Sequence, residues 1–418
     1  MAMSRMKTCL FIARRISSGS GGRGSVMVRI AAATVAVGMA VVIVAIAVVA
    51  GFKTEVTAKL VGLGAHVRVT SLHTGASMET EPVRVDTALM ESIAALPRCA
   101  SVAPYAVKGG MLKTSGAIHG MVLKGTGCGY DTSFMAESLV EGSLPAVCGE
   151  TRSKDLLVSE GVARMLGLGV GDRVELLFVS DSRPVRRDRF KVCGLYSTGM
   201  DEADDMLAFT DIRNVQRLNG WEAEQVTGYE VNTTDFSRLE EFAESVYGAV
   251  FDNAASTDDV LKVEDIVSLN PNTFDWLKAH NVNALVIMVV MLLVAFLNMV
   301  SAMLIIQLEK TSMIGVLKAL GMRNGDVQKV FVLRSLKIIV TGMLWGNAVG
   351  LSVALLQKYT GLVRLDSSGY MLSQVPIDLD WRWWLALNVA MPAIMLLLMV
   401  IPAMAVSAVK PDRIMRYS

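Results

Sequence analysis

The sequence predicts an α-helical membrane protein with four transmembrane helices, arranged 1 + 3, and a large α+β extracytoplasmic domain inserted between helices 1 and 2. Three observations predict it. The 418 residues are 52% hydrophobic and 19% charged, with a mean hydropathy of +0.46. That is too high for an ordinary soluble domain and too low for a chain lying wholly in a bilayer. Four runs of 20 to 28 residues carry no charge, and about 20 helical residues cover the hydrocarbon core of a membrane. The basic residues, finally, collect on one side of those runs.

Taken in order, residues 1–29 hold six basic residues and no acid. Residues 30–52 form the first span, rich in Ile, Val and Ala and free of charge. Its apolar stretch is too long for a cleavable signal, and Ala50-Gly51-Phe52 is a poor cleavage site, so a retained signal anchor is expected. Residues 53–280 form the external domain, and 281–308 the second span. The loop 309–337 holds six basic and two acidic residues. The third span is 338–357, a short outer loop 358–382 balances three charges of each sign, and the fourth span is 383–409. The tail 410–418 holds three basic residues and one acidic. The acidic excess lies in the external domain. Both termini and the 309–337 loop are therefore expected in the cytoplasm.

This layout limits function. None of the four spans contains Asp, Glu, Lys or Arg, whereas ion-coupled pumps ordinarily need an ionisable group at mid-membrane. Long helical runs exclude a porin-like barrel. A formal net charge of +1 argues against nucleic acid as a main partner.

In the external domain, Ala65 to Thr70 alternates as a strand. Asp86 caps a helix with Leu89, Ile93 and Leu96 on one face, Pro97 ends it, and Val102 to Tyr105 returns to a strand. A second such unit runs from strand Gly228–Val231 through Asp235 into a helix with Phe236, Leu239, Ala243 and Val246 inward. The simplest organisation is an α/β subdomain from 53–109 and 226–280, with a β-rich insertion at 110–225 that includes the turn Gly167 to Asp172. No catalytic or metal-binding constellation is present. The four histidines form no paired motif, no two cysteines have metal-ligand spacing, and the stretch 19–24 lacks the Lys and hydroxyl of a phosphate-gripping loop. The chain is expected to be non-catalytic and to bind no cofactor. Cys99, Cys128, Cys148 and Cys193 either hold one disulfide or are buried thiols. The acidic run Asp201 to Asp205 reads as a solvated turn. In the third span Gly342, Gly346 and Gly350 recur every fourth residue, a face for close helix packing with a second subunit or with a neighbour in the same chain.

The loop after the second span reads Glu309-Lys310-Thr311-Ser312-Met313-Ile314-Gly315-Val316-Leu317-Lys318-Ala319-Leu320-Gly321. Met313, Val316, Leu317 and Leu320 fall on one helical face, and Gly321 is a natural stop. Such a helix either lies in the interface or docks a cytoplasmic partner.

The pattern Glu309-Lys310-x-x-x-Ile314-Gly315-x-Leu317-Lys318-Ala319-Leu320-Gly321 resembles the coupling helix of the FtsX-like/MacB permease superfamily. The 1 + 3 layout resembles that group too. Phe11 to Arg15 resembles its cytoplasmic elbow. Gly51-Phe52 with Gly64 to Val67, Tyr196 to Gly199 with Leu207 to Phe209, and Tyr370 with Val375-Pro376-Ile377 and Trp381 resemble the LolC/LolE-type lipoprotein-releasing permeases. The resemblance runs nearly end to end. It implies a bacterial inner-membrane permease working as a homo- or heterodimer with a separate ABC ATPase, which would hold the ATP and magnesium. It further implies outer-membrane lipoproteins as substrate and a periplasmic lipoprotein carrier. Glu309, Lys310, Met313, Ile314, Gly315, Leu317, Lys318, Ala319, Leu320 and Gly321 would then receive the ATPase. A hairpin at 180–188, with Arg183, Pro184, Arg186 and Arg187 at its basic tip, would stand where a carrier-binding hook is expected; it is shorter than such a hook, and a plain solvated hairpin is the alternative. Two rival readings are a sibling permease serving efflux or cell-wall machinery, and a membrane-anchored scaffold without an ATPase. A scaffold has no reason to carry the coupling loop.

Overall fold

The computed structural model describes residues 23–407 apart from 74–80, 115, 181–182, 254–259, 310–315, 317–321, 366–371 and 373. The chain forms two units. One comprises Glu55–Asp275 and Arg364–Gln374, and the other Met1–Thr54, Trp276–Val363 and Val375–Ser418.

The first unit is a mixed α/β domain. Its strands are β1 (Val67–Ser71), β2 (Val83–Arg84), β3 (Cys99–Lys113), β4 (Ile118–Thr126), β5 (Leu139–Gly142), β6 (Asp155–Ser159), β7 (Arg173–Ser180), β8 (Arg183–Tyr196), β9 (Leu207–Asp211), β10 (Gln225–Val226), β11 (Gly228–Thr233) and β12 (Leu261–Asp265). Ten form one sheet in the order β12-β1-β11-β3-β4-β9-β6-β8-β5, with β7 joined to both β3 and β8; β10 and β2 pair separately. At one end, β11 inserts antiparallel between β1 and β3, opposing Val67 to Val231 and Val231 to Val102. β12 adds antiparallel outside β1. This is a split β-α-β arrangement. Its two helices are α2 (Thr87–Ala94) and α7 (Leu239–Asn253).

Asp86 starts α2 as expected, its carboxylate accepting from the backbone N–H groups of Ala88 and Leu89. Leu89 and Ile93 are buried. Asp235 likewise accepts from the N–H of Ser237, but a 3-10 turn over Phe236–Arg238 comes first. In α7 Leu239 and Val246 are buried as expected, together with Phe242 and Val250, while Phe236 of that turn and Ala243 are half-buried. β3 runs unbroken through residues 109 and 110, the expected border of the insertion, because its far half pairs with β4 and β7. The insertion core gathers Leu112, Leu123, Leu156, Leu176, Phe178 and Phe190 beneath α4 (Glu160–Leu166) and α6 (Ile212–Asn219). The short α3 (Ser133–Glu137) and α5 (Asp201–Met206) bring Met135 and Ala203 to a second apolar cluster with Leu157, Tyr196 and Phe209. Gly167, at φ +67, ends α4 in the left-handed conformation the turn requires. Cys128 and Cys148 form a disulfide across a sequence separation of 20, while Cys99 and Cys193 are free thiols. By loop-closure entropy the bridge contributes about 3 kcal/mol.

The second unit is helical. It holds residues 23–54 of α1 (Arg23–Leu63), most of α9 (Pro271–Glu309), α10 (Asn324–Thr360) and α11 (Trp381–Ser407); α8 (Ile266–Leu269) is a single turn in the other unit. Among the described residues, three helices are long and apolar enough to span a membrane: Val28–Leu63, Gly325–Thr360 and Trp381–Met399. In α9 the described apolar window is Leu285–Val294. α1 continues past the charge-free run at 30–52, because Val56 and Leu63 keep an apolar stripe going beyond Lys53 and Glu55. Val35, Met39, Val42, Ile339, Met343, Met391 and Met395 form the core of the bundle. Val282, Leu285, Val289, Leu293 and Leu297 of α9 are exposed, an apolar surface that suits lipid or another apolar helix.

Candidate functional site

The predicted ATPase-coupling residues lie almost wholly outside the described residues. Glu309 is the last residue of α9; Lys310, Met313, Ile314, Gly315, Leu317, Lys318, Ala319, Leu320 and Gly321 are not described.

The basic hairpin consists of β7 and β8, antiparallel, with Ser180 opposite Arg183 and Phe178 opposite Arg186. The side chains of Arg183 and Pro184 are outside the described residues. Arg186 is not a free cation at a tip. Its Nη1 donates to the carbonyls of Arg217 (2.9 Å) and Leu218 (3.2 Å) in the last turn of α6, where the Arg217 carbonyl also accepts from the Gly220 N–H (3.1 Å). Arg187 opposes Leu177 and is exposed.

Gly342, Gly346 and Gly350 lie against α1. A Cβ on Gly342 would stand 2.8 Å from the Ala32 carbonyl oxygen, one on Gly346 2.7 Å from that of Ala36, and one on Gly350 3.2 Å from that of Ala40. The stripe is thus a helix-packing face within the chain. Gly51 serves a similar end: a Cβ there would meet the Pro376 carbonyl oxygen at 2.5 Å. The segment after Pro376 is tied to α1 by Asp378 N–H donating to the Ala47 carbonyl (3.0 Å) and by Thr54 Oγ1 donating to Asp378 Oδ2 (3.0 Å). Gly51-Phe52 and Val375-Pro376-Ile377, distant in sequence, are therefore one contact. Deeper in the bundle, Asn347 on α10 and Asn388 on α11 exchange amide hydrogen bonds (2.7 and 3.2 Å), and Trp384 Nε1 donates to Asn347 Oδ1 (2.7 Å).

The acidic run at 201–205 is not a solvated turn. It forms α5, and Asp204 is buried at 5% exposure. Its carboxylate accepts from the Thr198 N–H (2.9 Å) and Oγ1 (2.7 Å). Burial raises the Asp204 pKa above the ordinary carboxylate value, and the Thr198 hydrogen bonds oppose that rise. A raised folded-state pKa means the native state holds its proton longer than the unfolded chain. Stability is therefore lost as pH climbs from the ordinary carboxylate value through the raised one. Asp204→Asn keeps the shape and should remove this loss. The variant is expected to match the parent near pH 4 and to equal or exceed it at pH 7. Asp204→Ala leaves the Thr198 N–H unpaired and should cost about 1–3 kcal/mol. Thermal melts of the purified chain across that pH range check both.

The densest polar site is one the sequence reading missed. Lys124 on β4 and Glu230 on β11, each 2% exposed, stand on strands that flank β3 and meet over its Tyr105 ring. Lys124 Nζ donates to Glu230 Oε1 (2.7 Å) and Oε2 (2.8 Å), to Tyr130 Oη (2.9 Å), and to the carbonyl of Leu63 (2.9 Å), the last residue of α1. Tyr130 Oη donates to Glu230 Oε2 (2.7 Å), and Arg68 lies 3.6 Å from Glu230 Oε1. Desolvation lowers the Lys124 pKa, opposed by the Glu230 charge, and desolvation pushes Tyr105 up to about 12. The signal was present but easily read the other way. A lone Lys in Val122-Leu123-Lys124-Gly125 and a lone Glu in Tyr229-Glu230-Val231 look like the solvent face of alternating strands. Among the described residues no cluster of three or more potential metal ligands occurs.

Comparison with known proteins places this architecture. The MacB-like periplasmic core domain family model matches residues 30–247, and the FtsX-like permease C-terminal model matches 285–411. The lipoprotein-releasing system transmembrane protein LolC of Xylella fastidiosa strain Temecula1 is 25% identical over 386 residues, 88% of this chain and 89% of that protein. LolC of Neisseria meningitidis serogroup B is 24% identical, covering 85% and 86% of the two chains. The corresponding protein LolE of Haemophilus influenzae is 21% identical, covering 62% and 64%. With the first model covering more than half its length, the chain belongs to the membrane permeases that combine a MacB-like periplasmic core domain with an FtsX-like C-terminal domain, and LolC and LolE are among its homologues.

Proposed function

We propose that this chain is the non-catalytic transmembrane permease subunit of an ATP-driven lipoprotein-releasing complex. It extracts outer-membrane lipoproteins from the inner membrane and passes them to a periplasmic carrier. In this reading it spans the inner membrane four times, with both termini in the cytoplasm and the α/β domain in the periplasm. A separate ABC ATPase binds ATP and magnesium, and a second permease, LolC- or LolE-like, completes the complex. The observation that carries the reading is the near full-length similarity to proteins named for lipoprotein release. The absence of charge in the spans suits acyl chains, which gain nothing from ionic walls.

The ATPase would dock at the 309–321 segment, and this is directly testable. Gly315→Asp with Leu317→Asp places two charges in the segment expected to meet the ATPase, the one at 317 on its apolar face. Co-purification of the ATPase should fall about tenfold or more while membrane insertion persists, since desolvating an unpaired charge at an interface costs several kcal/mol. Undiminished co-purification would remove the docking role.

A further inference from the structure

The outer end of α1 poses a physical problem that the Lys124 cluster solves. A helix leaves its last carbonyls without intrahelical partners, and the last turn of α1 contains no basic residue to meet them. The positive charge comes instead from Lys124, 61 residues further on, whose ammonium donates to the Leu63 carbonyl. Tyr130 Oη stands 3.5 Å from the next carbonyl, that of Gly64. The same helix end is gripped by packing. Leu60 and Leu63 join Met135, Leu157 and Phe209 in one apolar cluster. The ring of Phe134 lies so close to Gly62 that a Cβ there would sit 2.2 Å from it.

A buried ion pair is a costly way to add stability, because apolar side chains of the same volume commonly do as well. What apolar residues cannot supply is a directional bond to a helix terminus. We propose that Lys124, held by Glu230 and Tyr130, is a positioning residue that clamps the C-terminal turn of α1 to the centre of the sheet, so that displacement of α1 moves the α/β domain instead of unwinding the last turn. The proposal deepens the function above and rests on it, since displacement of α1 is taken to be driven by the ATPase. The clamp itself is a property of the α/β unit.

The test uses the full-length chain with its ATPase and partner permease in proteoliposomes containing a triacylated lipoprotein, with the carrier outside. The double substitution Lys124→Met with Glu230→Leu removes the buried ion pair as a unit, and Arg68, whose side chain is 33% exposed, keeps its access to water. The thermal midpoint and ATP hydrolysis should stay near the parent values. Lipoprotein released per ATP hydrolysed should drop about tenfold, the range of a typical coupling free energy, and hydrogen exchange at the Leu63 and Gly64 amides should quicken. Tyr130→Phe, which removes one hydroxyl, should shift both readouts the same way by less, and it serves if the double variant fails to fold. Unchanged release per ATP with unchanged exchange would overturn the clamp. Absence of release by the parent complex would instead sink the lipoprotein-release reading, and the exchange measurement would still decide the clamp.

Discussion

Replacing Glu230 alone by leucine should lower the stability of the α/β domain by about 3–5 kcal/mol, the cost of stranding one partner of a buried ion pair. Lys124, 2% exposed, would keep its bonds to the Leu63 carbonyl and Tyr130 but lose the only carboxylate within reach of its ammonium among the described residues. The penalty has a pH signature. Without Glu230 the Lys124 pKa falls further below its ordinary value, so the unfolded chain binds one more proton than the native state between those two values. Stability then rises as pH climbs toward the ordinary lysine range, and the deficit shrinks. A melting midpoint lower by about 10 °C at neutral pH is expected for a domain of this size. The gap should narrow at pH 9.5. A shift under about 2 °C would show that Lys124 is not confined as described.

Gly346→Leu should be the most damaging change in the helical unit. A Cβ at that position meets Met39 Cβ at 2.6 Å and the Ala36 carbonyl oxygen at 2.7 Å. Neither contact can be relieved by rotating a flexible side-chain end, so α10 and α1 would have to separate along the whole glycine stripe. Overpacking of this kind costs about 1–3 kcal/mol for one or two methylenes and more for a full side chain. Gly325→Ala is the matched control, because a Cβ there meets nothing within 4 Å. Membrane levels and detergent-solubilised melting temperature should collapse for the first variant and hold for the second. Equal behaviour would mean that α1 and α10 do not pack through these glycines.

The sequence carried the architecture well and the site poorly, for physical reasons. Spans are set by hydropathy and length, so the charge-free runs at 30–52 and 338–357 fall inside the longer helices α1 and α10, which extend past them at both ends, and the run at 383–409 overlaps α11. Caps are equally local. Asp86 and Asp235 were legible because a carboxylate before an apolar stripe has few other uses. Contacts between distant segments have no such local mark. Nothing in Val122-Leu123-Lys124 announces that Glu230 lies within 2.7 Å, since the pairing exists only once β11 inserts beside β3 and α1 covers the face. Asp204 was misread for the same reason. In a run of acids, which one turns inward depends on a short helix and on Thr198. Gly51 and Pro376 stand in separate stretches of the sequence, and only the fold makes them one contact.

The central claim, that this chain works with an ATPase on lipoproteins, is tested most directly by purifying it from gently solubilised bacterial membranes and identifying by mass spectrometry what comes with it. The account predicts a small P-loop ATPase, a second permease or a second copy of this chain, and triacylated lipoproteins. Recovery of an ATPase with cell-wall enzymes or an outer-membrane channel, or of no ATPase at all, would contradict it.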